Sequence, residues 1–127
     1  MIKPPRSPFY MNPDCIFCKI IAGKAPGEIV YRDDLVTAFT NIHPIAPVHI
    51  LVVTNHHLSS VNEATPADEP TLGRLITVAR QLAEEQEISQ TGYRLVINTG
   101  QDGGQTIFHL HVHLIGGKRF PFLLEGL

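Results

Sequence analysis

The sequence predicts an α+β domain, a five-stranded antiparallel sheet carrying one long and one short helix. Three observations lead there. Leu72, Leu75, Ile76, Ala79, Leu82 and Ala83 recur at helical spacing, an apolar stripe suited to covering a sheet. Short β-branched segments joined by tight turns precede that stripe and two more follow it, an order that favours antiparallel pairing. Late in the chain, Phe108-His109-Leu110-His111-Val112-His113-Leu114 alternates apolar and imidazole side chains with the period of a strand.

The elements follow in order. Residues 1–13 carry four prolines and no periodic pattern, and read as an extended N-terminal arm before a single domain over 14–127. Residues 14–23 form a short helix, with Asp14 as its cap, Gly23 as its end and Ile16/Ile20 and Phe17/Ile21 as i,i+4 pairs. Residues 29–31 and 35–39 are strands flanking a turn at Arg32-Asp33-Asp34, and Pro44 and Pro47 make 40–48 a loop. Residues 49–53 are a third strand. Thr65 caps the long helix, Pro66 opens it, Asp68 completes a capping box, and the pattern runs to Glu87. Residues 93–98 are a fourth strand and 107–115 a fifth, separated by the glycine-rich stretch 100–104, which lets backbone approach a ligand closely. Phe108, Leu110, Val112 and Leu114 are core candidates on the face opposite the histidines.

Composition narrows the function. The chain has 127 residues, with Lys+Arg 10 against Asp+Glu 12 and a formal charge of −2. That balance excludes a strongly basic nucleic-acid or membrane-surface binder. No apolar run approaches a membrane span or a signal core, so the expected compartment is the cytoplasm. Two cysteines do not build a disulfide framework.

The 7 histidines all fall within 43–57 and 109–113. His109, His111 and His113 share one face of a strand, with neighbours about 6.7 Å apart and the outer two about 13 Å apart. That span is too long for one ion and suits successive contacts along a phosphate chain. The middle imidazole is then the natural nucleophile towards phosphorus, with its neighbours donating to phosphate and leaving-group oxygens. His49, on another strand, can join them.

The run His109-Leu110-His111-Val112-His113-Leu114-Ile115 resembles the histidine-triad motif of the HIT family. Asp14 to Ile21 resembles its opening helix, Ala46 to Val53 its central strand, and Gly103-Gly104-Gln105-Thr106 its loop before the triad. The likeness is greatest to the Hint-like, nucleoside phosphoramidase branch. The resemblance implies a HIT-like fold and a homodimer. It also implies a purine-nucleotide hydrolase that works through a nucleotidyl-histidine intermediate and releases AMP or GMP without a catalytic metal. By that likeness His111 is the nucleophile, His113 and His49 contact phosphate oxygens, and His109 supports His111. Gln105, Thr106, Gly104 and Asn98 lie on the phosphate side, and Ile16, Phe17, Phe39 and Ile42 wall the purine. Asn41 stands where the family commonly has a ribose-binding aspartate. The segment 118–127 lacks the tryptophan-containing tail that shapes the leaving-group side in the Hint-like branch. Rival readings are a dinucleoside polyphosphate hydrolase, a nucleotide-binding partner protein with little turnover, and a metalloprotein whose histidine strand holds a catalytic ion.

Cys15-x-x-Cys18 is spaced for zinc but needs two more ligands. The resemblance to bacterial members supplies His57 and His109, with His56 as the alternative to His57, in a closed structural site. The plainer reading is two reduced helix thiols. His43, beside Pro44, reads as exposed to solvent.

Overall fold

A computed structural model describes residues 10–122 and residue 127. The arm reading for 1–9 and the tail reading for 123–126 lie outside the described residues. The element order is α1 (Ile16–Ile21), β1 (Ile29–Arg32), β2 (Val36–Thr40), β3 (Val48–Thr54), α2 (Glu69–Glu85), β4 (Tyr93–Val96) and β5 (His111–Gly116). Turns of 3₁₀ helix at Val61–Glu63 and Pro66–Asp68 link β3 to α2. The strands form one five-stranded antiparallel sheet, as expected from the sequence, and their order is β1-β2-β3-β5-β4. That order places β5, the last strand made, between β3 and β4 rather than at an edge.

Register decides what each face carries. Val53 stands opposite His111, Leu51 opposite His113 and His49 opposite Ile115. Directly opposed residues project to the same side, so these residues share a face. There Phe39, Leu51 and Val53 pack against Phe17 and Ile20 of α1. The other face carries Val36, Ala38, Ile50, Val52, Val112 and Leu114 under Leu75, Val78, Ala79, Leu82 and Ala83 of α2. One side of the sheet is thus a dry apolar layer, and the other is half apolar and half imidazole.

Several boundaries differ from those the sequence suggests. Cys15, rather than Asp14, caps α1: its extended backbone brings Sγ to the Cys18 N–H at 3.4 Å. The Asp14 N–H turns back instead to Asn12 Oδ1 at 2.9 Å. Gly23, at φ +74°, ends the helix as its glycine predicts. The Thr65 N–H does donate to Asp68 Oδ2 at 2.8 Å, but the first turn is 3₁₀ and the α-helix starts at Glu69. Glu87, at φ 60°, turns the chain back after Glu85, and Ile88 is buried. The buried stripe is rotated towards Val78, leaving Ile76 exposed at its margin.

The fifth strand is shorter than the alternation suggests. Residues 107–109 are bends, and Phe108 is half exposed rather than core. The lead-in is fixed by contacts outside the ladder. The Gln105 amide donates to Ser59 O at 2.7 Å and Ile107 O at 3.0 Å, and the Leu110 N–H donates to Leu58 O at 2.7 Å. Likewise β4 stops at Val96, and Ile97 is exposed.

A polar clasp closes the β1–β2 turn onto α2. Asp33 Oδ1 accepts the N–H groups of Leu35 at 2.8 Å and Val36 at 2.9 Å, while Oδ2 accepts from Tyr31 at 2.7 Å and Arg74 Nε at 2.6 Å. Partial burial pushes the Asp33 carboxyl up, but these donors together outweigh it and hold it at about 2, below the usual 3.8. A depressed carboxyl stabilises the fold above its unfolded value and loses that contribution as pH falls towards its folded value. Asp33 therefore contributes about 2 kcal/mol above pH 4, lost progressively down to pH 2. Urea unfolding across that range is expected to show a shallower acid loss in Asp33→Asn than in the parent chain.

Candidate functional site

The imidazoles form a connected row along the α1 side of the sheet. Ring centroids lie 4.8 Å apart for His57 and His109, 4.9 Å for His111 and His113, and 5.2 Å for His113 and His49. Phe17 bridges the gap in the row, 5.7 Å from His109 and 5.2 Å from His111, edge-on to both. All five rings are buried. The row is an outcome of register, since β5 supplies His111 and His113, β3 supplies His49, and the lead-in to β5 supplies His109.

Hydrogen-bond partners assign the protons. His111 Nδ1 lies 2.6 Å from the His109 main-chain oxygen. A carbonyl only accepts, so Nδ1 carries the hydrogen and Nε2 keeps its lone pair. The Ile45 N–H donates to His49 Nδ1 at 3.1 Å, which puts the His49 proton on Nε2. That proton is donated to His113 Nδ1 at 2.9 Å, leaving His113 with a donor at its own Nε2. The site thus holds a lone pair on His111 beside an N–H on His113.

Burial enforces the neutral forms. It pulls His111 and His49 below the ordinary imidazole value, and burial with His111 and His49 alongside takes His113 to about 3. Taking an imidazolium out of water is unfavourable without a counter-charge.

Beside the row, Cys15, Cys18, His57 and His109 bring four potential ligand atoms within 4.8 Å of one another. His109 Nε2 donates to Thr54 O at 2.6 Å, so its Nδ1 points a lone pair into this group. The Nδ1 atom lies 3.2 Å from Cys15 Sγ, 3.5 Å from Cys18 Sγ and 3.2 Å from His57 Nδ1, and Cys18 Sγ lies 3.4 Å from His57 Nδ1. A tetrahedral ion with ordinary Zn–S and Zn–N bonds would hold its ligand atoms about 3.3–3.8 Å apart. The donor set and its spacing fit a four-coordinate metal-binding group. Burial pushes the Cys18 thiol up to about 11 despite the Asn12 N–H, and burial takes His109 down to about 4. His57 is in the group and His56 is not.

The remaining sequence-derived residues are more dispersed. Phe17 and Phe39 are buried and pack edge-on at 5.3 Å, whereas Ile16 and Ile42 are exposed. Asn41 sits beside the row: its Oδ1 accepts the His43 N–H at 2.8 Å, and its amide nitrogen lies 3.2 Å from His49 Nε2. His43 itself is exposed. Asn98 is half-buried past the end of β4, and Gly104 and Thr106 are exposed in the following loop. Gln105 is buried, and its side chain braces that loop through Gly100 N, Ser59 O and Ile107 O. Thr54 O, Ile45 N–H, Tyr10 O and Asn12 N–H have no signal in the sequence, because main-chain groups leave no mark in residue identity.

Comparisons with known proteins agree with this geometry. The sequence pattern of the HIT domain family matches residues 22–120. The purine nucleoside phosphoramidase of Escherichia coli K12 is 49% identical over 108 residues, 85% of this chain and 91% of that protein. A HIT family hydrolase from Clostridium thermocellum superposes with a TM-score of 0.86 at 40% identity, covering 90% of this chain and 100% of that one. A Zn-bound histidine triad family protein from Mycobacterium smegmatis gives a TM-score of 0.76 at 27% identity, covering 88% of this chain and 81% of that one.

Phe17 is the test of how the row is supported. Phe17→Ala is expected to lower stability by about 3–5 kcal/mol in urea unfolding, because a buried ring touching Phe39, His109 and His111 leaves a cavity that only partly collapses.

Proposed function

The chain belongs to the HIT domain family, and from that premise we propose that it hydrolyses purine nucleoside 5′-phosphoramidates with His111 as nucleophile. The observation that carries the assignment is the bond from His111 Nδ1 to the His109 carbonyl at 2.6 Å, which leaves Nε2 free to attack. Nε2 forms a bond to the α-phosphorus while the P–N bond to the leaving amine breaks. His113 Nε2–H hydrogen-bonds the departing group and keeps its proton, the leaving nitrogen takes its proton from solvent, and His49 holds His113 in that tautomer. Water then attacks the nucleotidyl-histidine and releases its proton to solvent. The P–Nε2 bond breaks, and AMP or GMP leaves.

The neighbouring residues take supporting roles. Ile16 and Ile42 are exposed apolar side chains for a purine to cover, with Phe17 and Phe39 as the floor beneath. Gly104, Gln105, Thr106 and Asn98 border the phosphate side, Gln105 by holding the loop rather than by a free amide. Asn41 faces the ribose with one carbonyl lone pair already given to His43. As a homodimer, two copies would join at β4, whose outer edge has no partner strand among the described residues.

Zinc is the ion we assign to Cys15, Cys18, His57 and His109, since two thiolates and two imidazoles in a closed tetrahedron select it. When bound, it supplies a cross-link between α1 and the lead-in to β5. No described helix is long and apolar enough to cross a membrane, and a reducing cytoplasm would keep both thiols available as ligands.

Two measurements test the proposal. His111→Ala is expected to lower hydrolysis of adenosine 5′-phosphoramidate by at least about a thousand-fold. AMP binding, followed by calorimetry, should persist. Parent-like turnover in that variant would remove His111 from the chemistry. Stripping the metal with a chelator is expected to lower the melting temperature by about 10 °C. Hydrolysis measured well below that transition should continue; immediate loss would point to a catalytic ion.

A further inference from the structure

We propose that residues 10–12 form the outer wall of the metal centre, with Tyr10 covering His57 and the Asn12 N–H bonded to the Cys18 sulfur. The inference rests on reading Cys15, Cys18, His57 and His109 as a zinc site, and it concerns how long the ion stays.

Three contacts carry it, each to a different ligand residue. Tyr10 O accepts the His57 N–H at 2.8 Å, and the Tyr10 ring stands edge-on to the His57 ring at 5.8 Å. The Asn12 N–H reaches Cys18 Sγ at 3.4 Å. Asn12 O accepts the Cys15 N–H at 3.1 Å, and Asn12 Oδ1 accepts the Asp14 N–H at 2.9 Å, so the segment is pinned where it meets α1. The fourth ligand residue, His109, is held from the protein interior by Thr54 O.

Cys18, His57 and His109 are buried, while Cys15 is partly open. Asn12 O holds the main chain of that more open residue through the Cys15 N–H. Tyr10 is 44% exposed, so its ring packs on His57 from the solvent side rather than filling the core. The matched family pattern begins at residue 22, so these contacts lie outside it. Hydrogen bonds to ligand atoms, and groups that orient ligand rings, are worth about 10–100-fold in metal affinity. An N–H aimed at a thiolate keeps electron density on a sulfur that water would otherwise solvate, and an aromatic cover slows the approach of water and competing ligands.

The experiment uses the full chain loaded with zinc, comparing the parent with Tyr10→Ala, Asn12→Pro and Asn12→Ala. Zinc release to a chromogenic chelator is timed, cobalt(II) is substituted to read the ligand set, and circular dichroism checks the fold. Tyr10→Ala and Asn12→Pro are expected to release zinc at least about tenfold faster. Asn12→Ala keeps the main-chain N–H but loses the Oδ1 bond to Asp14, and should release zinc more slowly than Asn12→Pro. All four should show the same tetrahedral, two-thiolate cobalt absorption, which places the effect outside the ligands. Equal release rates from parent, Tyr10→Ala and Asn12→Pro would overturn the inference, and equally fast release from Asn12→Ala and Asn12→Pro would overturn the role of the N–H. A parent chain that takes up neither zinc nor cobalt would overturn the zinc reading itself. Parent-like zinc binding with unchanged release would overturn only the role of the arm.

Discussion

The α1 side of the sheet depends on one buried residue that faces three ways. His109 gives its Nε2–H to Thr54 O, turns its Nδ1 lone pair towards the two cysteines and His57, and offers its main-chain oxygen to His111. Each commitment fixes the next. The carbonyl of Thr54 selects the tautomer, and the tautomer creates a ligand atom. The main-chain oxygen then selects the tautomer of the neighbour two residues on. His109 is fully buried, so no water competes for these bonds and each orients its partner more firmly than it would at the surface. The metal-binding group and the tautomer of His111 are therefore two consequences of one residue's geometry rather than two features that happen to adjoin.

How much of this the sequence disclosed follows from the kind of information alternation carries. Alternation tells which side chains share a face, and His111, His113, Val112 and Leu114 lie where it puts them. It says nothing about where pairing begins, so Phe108 reads as core although the chain there is bent and held by Gln105 and by Leu58 O. Those partners are remote along the chain and declare themselves only once the loop closes. Asp14 was the conventional cap, but the sulfur of Cys15 took that place because the same extended backbone aims it at the metal-binding group. His56 and His57 are chemically identical and adjacent, so only the fold could choose between them. The arm was the least legible part, since Tyr10 acts through its carbonyl and Asn12 through its N–H.

The site meets an anionic substrate without a cluster of cations. The chain is poor in charge, and the five rings of the row are neutral and buried. What such a site offers phosphorus is direction: a lone pair on one ring, a donor on the next, and little freedom in either. Preorganised donors in a dry site stabilise developing charge without first reorganising around it. A positively charged cleft would bind phosphate more tightly but would hold the nucleophile's lone pair less available. Desolvation, unfavourable for an imidazolium, is what keeps His111 neutral, the form the proposed attack needs.

The two faces of the sheet divide the remaining work. On the α2 side, Val52, Val112 and Leu114 lock β3 and β5 into an apolar layer, and a central strand clamped from behind has little room to shift. His111, the nucleophile we propose, thus sits on one of the most constrained elements of the fold, as precise positioning requires. The loop before the triad is the opposite kind of element. Gly100 and Gly104 take left-handed backbone there, and the buried Gln105 side chain braces the loop through the Gly100 N–H, Ser59 O and Ile107 O. On the proposed roles, the sheet fixes the nucleophile, and the loop that carries Gly104, Gln105 and Thr106 is where leaving-group preference can vary.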